Sequence, residues 1–139
     1  MKKIAVLIIV FTVFALLFAG CGNPSGAPDP EKIVPARETL IENLKKAGYA
    51  VEEQNSVEGS ELDIERVIAR KGKSFIDIVY GLSGEEAGEV FSLYCGMYPD
   101  DFYILARNGN FVYCVSDKQT FSKAGFTSTD NVGTQIIHN

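Results

Sequence analysis

The chain has 139 residues, which suits one folded domain and is short for two. Its 46% hydrophobic and 22% charged residues exclude a disordered or collagen-like chain, and one His and three Cys exclude a histidine-rich metal site and a dense disulfide scaffold. The net charge of −5 argues against a broad phosphate-binding surface, so we expect no nucleic-acid partner, and we expect no cofactor.

The N-terminal segment has the parts of a secretory signal. Lys2 and Lys3 are followed by an uncharged apolar run, Ile4 to Phe18, and then by small residues. The run is short for a permanent span, which needs about 20 residues, and no basic stop-transfer cluster follows it. The pattern predicts a signal peptide over residues 1–20 and export of the rest of the chain.

The end of this segment adds an anchor. The sequence Phe18-Ala19-Gly20-Cys21 resembles the lipobox of bacterial lipoproteins, with Phe18 where that family usually has Leu. The resemblance implies cleavage before Cys21, a diacylglycerol thioether on its sulfur, and acyl chains such as palmitate that hold the protein on the extracytoplasmic face of the cell membrane. Two such chains bury enough CH₂ groups, at about 0.8 kcal/mol each, for lasting attachment. An ordinary signal peptide with a free Cys21 and an uncleaved signal anchor are the alternatives.

Residues 21–31 combine the lipidated N-terminus with a linker rich in Pro and Gly. Such a composition cannot pack as a helix or a central strand, so we expect a tether. Removal of residues 1–20 takes away two lysines and no acid, which leaves 11 basic and 18 acidic residues and a formal charge of −7. This acidity predicts a domain that stands away from an anionic bilayer, although an acidic surface is also common in soluble domains.

The first half of the folded part contains a helix, a strand and a hairpin. Apolar residues at helical spacing predict a helix over Pro35–Ala47, which Gly48 ends. A strand follows at Tyr49–Glu53. Leu62–Arg70 and Ser74–Gly81 predict a hairpin closed at Lys71-Gly72, which places Arg66 opposite Asp77, Ile68 opposite Phe75 and Ile64 opposite Val79.

The second half repeats the alternation of helix and hairpin. Ser83-Gly84-Glu85-Glu86 predicts a capping box at the start of a second helix. Phe102–Arg107 and Phe111–Ser116 predict a hairpin around Asn108-Gly109, central in the sheet because both of its sides are apolar. A second capping box at Ser116-Asp117-Lys118-Gln119 opens a short third helix that Gly125 ends.

These elements predict an α+β fold in the order αβ-ββ-α-ββ-α. One antiparallel sheet of about five strands carries two to three helices packed on one face. We place a single domain at residues 32–126 and a polar C-terminal tail at residues 127–139, in which Thr134–Ile137 can add an edge strand.

The exported domain retains two cysteines, Cys95 and Cys114. Two thiols in an oxidising compartment predict a disulfide between the second helix and the second hairpin; the alternative is a pair of buried apolar side chains that never meet. The lone His138 lies in the polar tail, where it cannot hold a fixed position as a general base. We therefore predict no catalytic residue set.

Tyrosines supply the predicted binding surface. Aromatic rings with one polar group are good contact residues, and a predicted patch near the end of the second helix has acids at its rim. Its members are Tyr94, Tyr98, Tyr103, Tyr113, Asp100 and Asp101. The same tyrosines can simply fill the core of a chain that has no Trp.

The sequence thus favours a membrane-anchored, non-catalytic binding or interaction module for an unknown protein or small ligand. Its architecture, rather than any motif of the mature part, resembles that of short lipoproteins of Gram-positive bacteria. The alternative is a cell-envelope hydrolase that uses paired carboxylates, for which Asp77, Asp100 and Asp101 are the candidates.

Overall fold

A computed structural model describes residues 30–98, 102–127 and 134–137, which contain six strands and four helices. The strands form one antiparallel sheet in the order β1-β2-β3-β5-β4-β6, which confirms the α+β class and the predicted order of elements. The helices are α1 Pro30–Ile33, α2 Arg37–Lys46, α3 Gly84–Met97 and α4 Lys118–Ala124. The strands are β1 Ala50–Gln54, β2 Glu65–Lys71, β3 Ser74–Tyr80, β4 Ile104–Asn108, β5 Phe111–Val115 and β6 Thr134–Ile137.

The last strand lies in the polar tail. β6 pairs antiparallel with β4 at the edge of the sheet, with Ile104 opposite Ile137, which confirms the predicted edge strand. The second hairpin is therefore an internal part of the sheet, because β5 pairs with β3 on one side and β4 pairs with β6 on the other. Among the described residues, no helix is both long and apolar enough to span a bilayer.

Helices cover both faces of the sheet, so the prediction that they all pack on one face is wrong. On one face, Leu40 and Leu44 of α2 and Phe121 of α4 join a cluster with strand residues such as Ile78. On the other face, Val90 of α3 belongs to a second cluster. The reason is the side-chain alternation of a strand: β3, β4 and β5 are apolar at successive positions, and both of their faces need cover.

The first hairpin turns one residue later than predicted. Gly72 takes a positive φ of 59° and Lys71 pairs with Ser74, so the turn is Gly72-Lys73. Asp77 consequently pairs with Ile68, and Arg66 pairs with Val79. This shift moves every predicted pair by two positions, which leaves each side chain on its predicted face. Arg66 and Asp77 therefore remain diagonal neighbours, close enough for long side chains to meet.

The caps show how local sequence sets the helix starts. At α3 the predicted capping box is present: the Ser83 hydroxyl accepts from the Glu86 N–H, and the Glu86 carboxylate accepts from the Ser83 N–H at 2.7 Å. At α4 the cap is Asp117, whose carboxylate accepts from the Thr120 N–H at 2.7 Å. Ser116, the predicted cap, instead accepts from the N–H of Phe75 at 2.7 Å.

The Asp117 cap predicts a loss of stability in acid. Burial alone would raise the pKa of Asp117, but hydrogen bonds from Ser116 and Thr120 lower it to about 2. Because the folded-state pKa lies below the unfolded one, this stabilisation is present above about pH 4 and is lost as the pH falls toward 2. We expect Asp117→Ala to cost about 1–2 kcal/mol at neutral pH in urea unfolding, and the deficit to shrink toward pH 2. Asp117→Asn is the control, because its side chain keeps a hydrogen-bond acceptor but does not titrate. If the loss of unfolding free energy in Asp117→Ala did not change with pH, the cap would not be the source of the acid sensitivity.

The end of α4 requires glycine. Gly125 has φ +99°, and an added Cβ would lie 2.7 Å from Nδ2 of Asn43 and 3.7 Å from Cβ of Pro35. We expect Gly125→Ala to destabilise the domain by about 1–3 kcal/mol in urea unfolding. Gly96→Ala is the matched control, because that helical glycine has nothing within 4 Å of an added Cβ. The control should be neutral or stabilising by up to about 1 kcal/mol, and equal costs for both variants would contradict the prediction.

Candidate functional site

A buried ion pair joins the two strands of the first hairpin. Arg66 on β2 donates from Nε to Oδ1 of Asp77 on β3 at 2.9 Å, and from Nη2 to Oδ2 at 2.6 Å. Asp77 is fully buried, and Arg66 is 7% exposed. The alternation of each strand turns both side chains toward α3, and the planar guanidinium matches the two carboxylate oxygens.

Two tyrosines of α3 complete the surroundings of Asp77. Tyr94 donates its hydroxyl to Oδ1 and Tyr98 donates to Oδ2, each at 2.5 Å. They stand four residues apart, so they lie on one face of the helix. The Arg66 guanidinium also lies 5.9 Å from the centre of the Tyr94 ring. With two donors at each oxygen, all four acceptor positions of the Asp77 carboxylate are used.

The network continues to the surface at the edge of the sheet. The third nitrogen of Arg66, Nη1, donates to Oε1 of Gln54 at 3.1 Å and to the carbonyl oxygen of Ser56 at 3.4 Å. Gln54 in turn donates to the exposed Glu52 on the same strand at 2.6 Å. We call Arg66, Asp77, Tyr94 and Tyr98 the Arg66 cluster. Hydrogen bonds through Gln54 on β1 connect this cluster to an exposed side chain, that of Glu52.

Burial and the charge of Asp77 together decide the protonation states of the groups in and beside this cluster. Desolvation and then the negative charge of Asp77 raise the pKa values of Tyr94, Tyr98 and the neighbouring Cys114 well above their ordinary values. Burial alone would lower the pKa of Arg66, but its hydrogen bonds and attraction to Asp77 outweigh burial and raise it. Near neutral pH these groups stay as a guanidinium, two phenols and a thiol. In this arrangement Asp77 has no free lone pair with which to take a proton from a substrate.

The predicted tyrosine patch is not formed. Tyr94 and Tyr98 lie on the α3 face, whereas Tyr103 and Tyr113 pack on the opposite face, each near Phe121. Tyr94 and Tyr113 have no exposed surface at all. The other predicted members, Asp100 and Asp101, lie outside the described residues.

The predicted disulfide is also not formed. Both thiols are free, Cys114 being buried on β5 and Cys95 exposed on α3. The cause is the position of Cys95 on its helix. Tyr94 faces the sheet, and the next residue of an α-helix is turned by about 100° from it.

A shallow depression of about 130 Å³ lies on β1 and β2, the strands at one edge of the sheet. It is lined by Ala50, Val51, Glu52, Ile68 and Arg70. It is smaller than the roughly 300–1,000 Å³ usual for small-molecule sites. Among the described residues, no group of three or more His, Cys, Asp or Glu side chains is arranged to hold a metal ion. The predicted lipidation site, Cys21, and His138 lie outside those residues.

Comparison with known proteins gives no match to a protein family, a curated protein or a solved structure. The sequence predicts one part of the Arg66 cluster: the opposite charges on the two strands of the first hairpin indicate that Arg66 and Asp77 meet, as they do. The sequence predicts the tyrosines as a group, but it does not predict that Tyr94 and Tyr98 bind Asp77. The signal for it was the spacing of Tyr94 and Tyr98, which puts two hydroxyls on the side of α3 that faces a strand with one acid.

Proposed function

We propose that this protein is a lipid-anchored lipoprotein of the extracytoplasmic membrane face, and that its folded domain is a non-catalytic binding module. One observation carries the proposal: Phe18-Ala19-Gly20-Cys21 ends an apolar run that begins after two lysines. Acylation of Cys21 would attach a small domain durably to the bilayer.

The start of the fold supports a tethered domain. α1 begins at Pro30, and Ile33 is buried in the core. The hydroxyl of Thr127 donates to the carbonyl oxygen of Lys32 at 2.9 Å, which ties the beginning of the domain to its last helix region. α1 thus begins within the last two residues of the predicted linker, and the chain from Cys21 to Pro30 reaches at most about 30 Å.

The hydrolase alternative has less support. It needs two carboxylates a few ångströms apart in a concave site, with one of them able to accept a proton. Asp77 is buried and accepts four hydrogen bonds, so it does not meet that requirement. The remaining candidates, Asp100 and Asp101, lie outside the described residues.

The anchor is tested by Cys21→Ser in a bacterial host, with Cys95→Ser as the matched control. We expect the unsubstituted protein and the control to sediment with membranes, and intact mass to show loss of residues 1–20 and a diacylglycerol on Cys21. Cys21→Ser removes the acyl acceptor and should leave the membrane fraction or remain as an uncleaved precursor. An unmodified Cys21, or a retained leader on the unsubstituted protein, would overturn the proposal.

Thiol counting gives an independent measurement. Cys95 is exposed and Cys114 is buried with a raised pKa, so a thiol reagent should label Cys95 alone in the folded protein. Unfolding should add Cys114, whereas a thioether on Cys21 remains unreactive. We therefore expect one label before unfolding and two afterwards on protein isolated from membranes. A third label would show that Cys21 is a free thiol.

A further inference from the structure

The outer edge of β1 has no partner strand among the described residues. β1 ends the sheet on one side and pairs only with β2. In an antiparallel strand with a single neighbour, every second residue points its N–H and C=O groups away from that neighbour. No other described segment bonds to the backbone of residues 50–54. The outer side of β1, which we call the β1 edge, can therefore bond to an added strand, a common way of binding extended peptides.

On the side of the sheet that carries α3, β1 and β2 extend beyond the helix. α3 packs over β4 and β5, and its tyrosines reach only as far as Asp77 on β3. Ile68 on β2 alternates with Val67, which belongs to the cluster under α2, so Ile68 faces the α3 side, yet it belongs to neither cluster. It instead lines the depression of about 130 Å³ beside the β1 edge. A hollow of this size suits one side chain of a larger partner better than a small-molecule ligand.

Glu52 places a carboxylate at this depression. Nε2 of Gln54 donates to Oε1 of Glu52 at 2.6 Å, and Oε1 of Gln54 accepts from the buried Arg66 at 3.1 Å, so the Arg66 cluster orients the Glu52 side chain. Glu52 makes no ion pair with another described residue, whereas the next residue, Glu53, lies on the opposite face and contacts Arg37. A carboxylate has about four acceptor positions, and Gln54 uses one of them.

The charge of β1 determines which kind of segment fits beside it. β1 carries two acids and no base. The residues of an added strand would lie directly beside those of β1, at about 5 Å, whereas Arg70 on β2 stands one strand farther away, at about 10 Å. A Lys or Arg on the added strand would therefore meet the Glu52 carboxylate as its nearest charge. The net charge of −5 for the whole chain also attracts a cationic segment.

Two other occupants of the β1 edge fit less well. A second copy that pairs along all of β1 about a two-fold axis would set Glu52 of one copy opposite Glu52 of the other, and like charges directly opposite destabilise a sheet. The linker of the chain itself contains Pro24, Pro28 and Pro30, which lack the N–H groups that an added strand needs. A segment of another protein meets neither obstacle.

We propose that the β1 edge binds an extended cationic segment of a partner protein as an added strand, with a Lys or Arg beside Glu52. The backbone of β1 supplies hydrogen bonds that any extended segment can use. Glu52 selects the positive charge, and the depression over Ile68 receives the aliphatic part of the same side chain. The inference rests on the proposed binding role, whose partner class it names, but binding at the β1 edge requires no lipid on Cys21.

The experiment measures affinity and amide hydrogen exchange on the full-length chain in neutral detergent. The probe is an octapeptide of alternating Lys and Thr with capped ends. Spermine, which carries the same positive charge without a peptide backbone, is the control ligand. The test variant is Glu52→Lys, and the matched control is Glu85→Lys, the same reversal of charge at an exposed position. Next to Glu85, the carbonyl oxygen of Gly84 accepts from Arg107 on β4, and β4 lies four strand spacings, about 19 Å, from β1.

The peptide should slow amide exchange at residues 50–54 and leave residues 134–137, in the strand at the other edge, unchanged. Glu52→Lys should weaken peptide binding about tenfold, because a neighbouring charge turns from attractive to repulsive, and Glu85→Lys should weaken it less than about twofold. Spermine should bind more weakly than the peptide and leave exchange at residues 50–54 unchanged, because it has no backbone with which to extend the sheet.

Unchanged exchange at residues 50–54 in the presence of the peptide, or equal losses of affinity in the two variants, would overturn the proposal. Spermine that bound as tightly as the peptide would overturn it in favour of a general cation site. A dimer already protected at residues 50–54 without peptide would overturn it in favour of a second copy. None of these outcomes alters the membrane fractionation of Cys21→Ser, so the anchor and the peptide site fail separately.

Discussion

Asp77→Asn is expected to destabilise the domain by about 3–5 kcal/mol, because it leaves the Arg66 guanidinium buried without its counter-charge. Arg66 is 7% exposed, and two of its three nitrogens donate to Asp77. The measurement is the urea midpoint of the folded domain at neutral pH. Asp63→Asn removes the same charge from an exposed position and should change stability by less than about 0.5 kcal/mol.

A double replacement separates the cost of an unpaired charge from the net contribution of the pair. Replacing Arg66 with Met and Asp77 with Leu removes both charges and retains side-chain volume, which in buried pairs is often neutral or stabilising. The hydroxyls of Tyr94 and Tyr98 then lose their acceptor, so we expect a residual cost well below that of Asp77→Asn. If the loss of unfolding free energy in the double variant equalled the sum of the losses in Arg66→Met and Asp77→Leu, the two charges would be independent.

This result would also bear on the role of the Arg66 cluster. A carboxylate kept for catalysis contributes little to stability and has an open side toward substrate, whereas Asp77 has donors at both oxygens. If Asp77→Asn is much less stable but still attaches to the membrane, the Arg66 cluster has a structural role. It then holds the first hairpin against α3. The proposed binding function would then lie outside the Arg66 cluster.

The sequence predicts best what short segments decide on their own. The capping box at Ser83, the glycine stop at Gly125 and both hairpins depend on a few neighbouring residues. The errors of detail arise where a distant contact decides between two local alternatives. Ser116 and Asp117 are both good caps, and only the N–H of Phe75, far away in sequence, decides that Ser116 serves the sheet.

What the sequence could not settle is which helix covers which side of the sheet. Tyr94 and Tyr113 both lie in apolar surroundings, yet they lie on opposite faces. The two faces are distinguished by contacts between distant segments, such as the hydrogen bond between the hydroxyl of Tyr49, just before β1, and the hydroxyl of Thr120 on α4. No local pattern specifies those contacts, so the sequence alone predicts one tyrosine patch and one layer of helices where the fold has two.

Adjacent residues of β4 provide a direct test of the two-sided core. Ile104 and Leu105 are 0% and 1% exposed and belong to different clusters, one under α2 and α4 and the other under α3. Ile104→Ala and Leu105→Ala should each cost about 2–5 kcal/mol in urea unfolding, because each removes packed methyl groups and leaves a cavity. Met97→Ala is the control, since Met97 is 36% exposed and its loss should matter little. A sheet with one solvated face would make one of the two β4 variants nearly neutral, because neighbouring strand residues point to opposite sides; such an asymmetry would contradict the arrangement of helices on both faces.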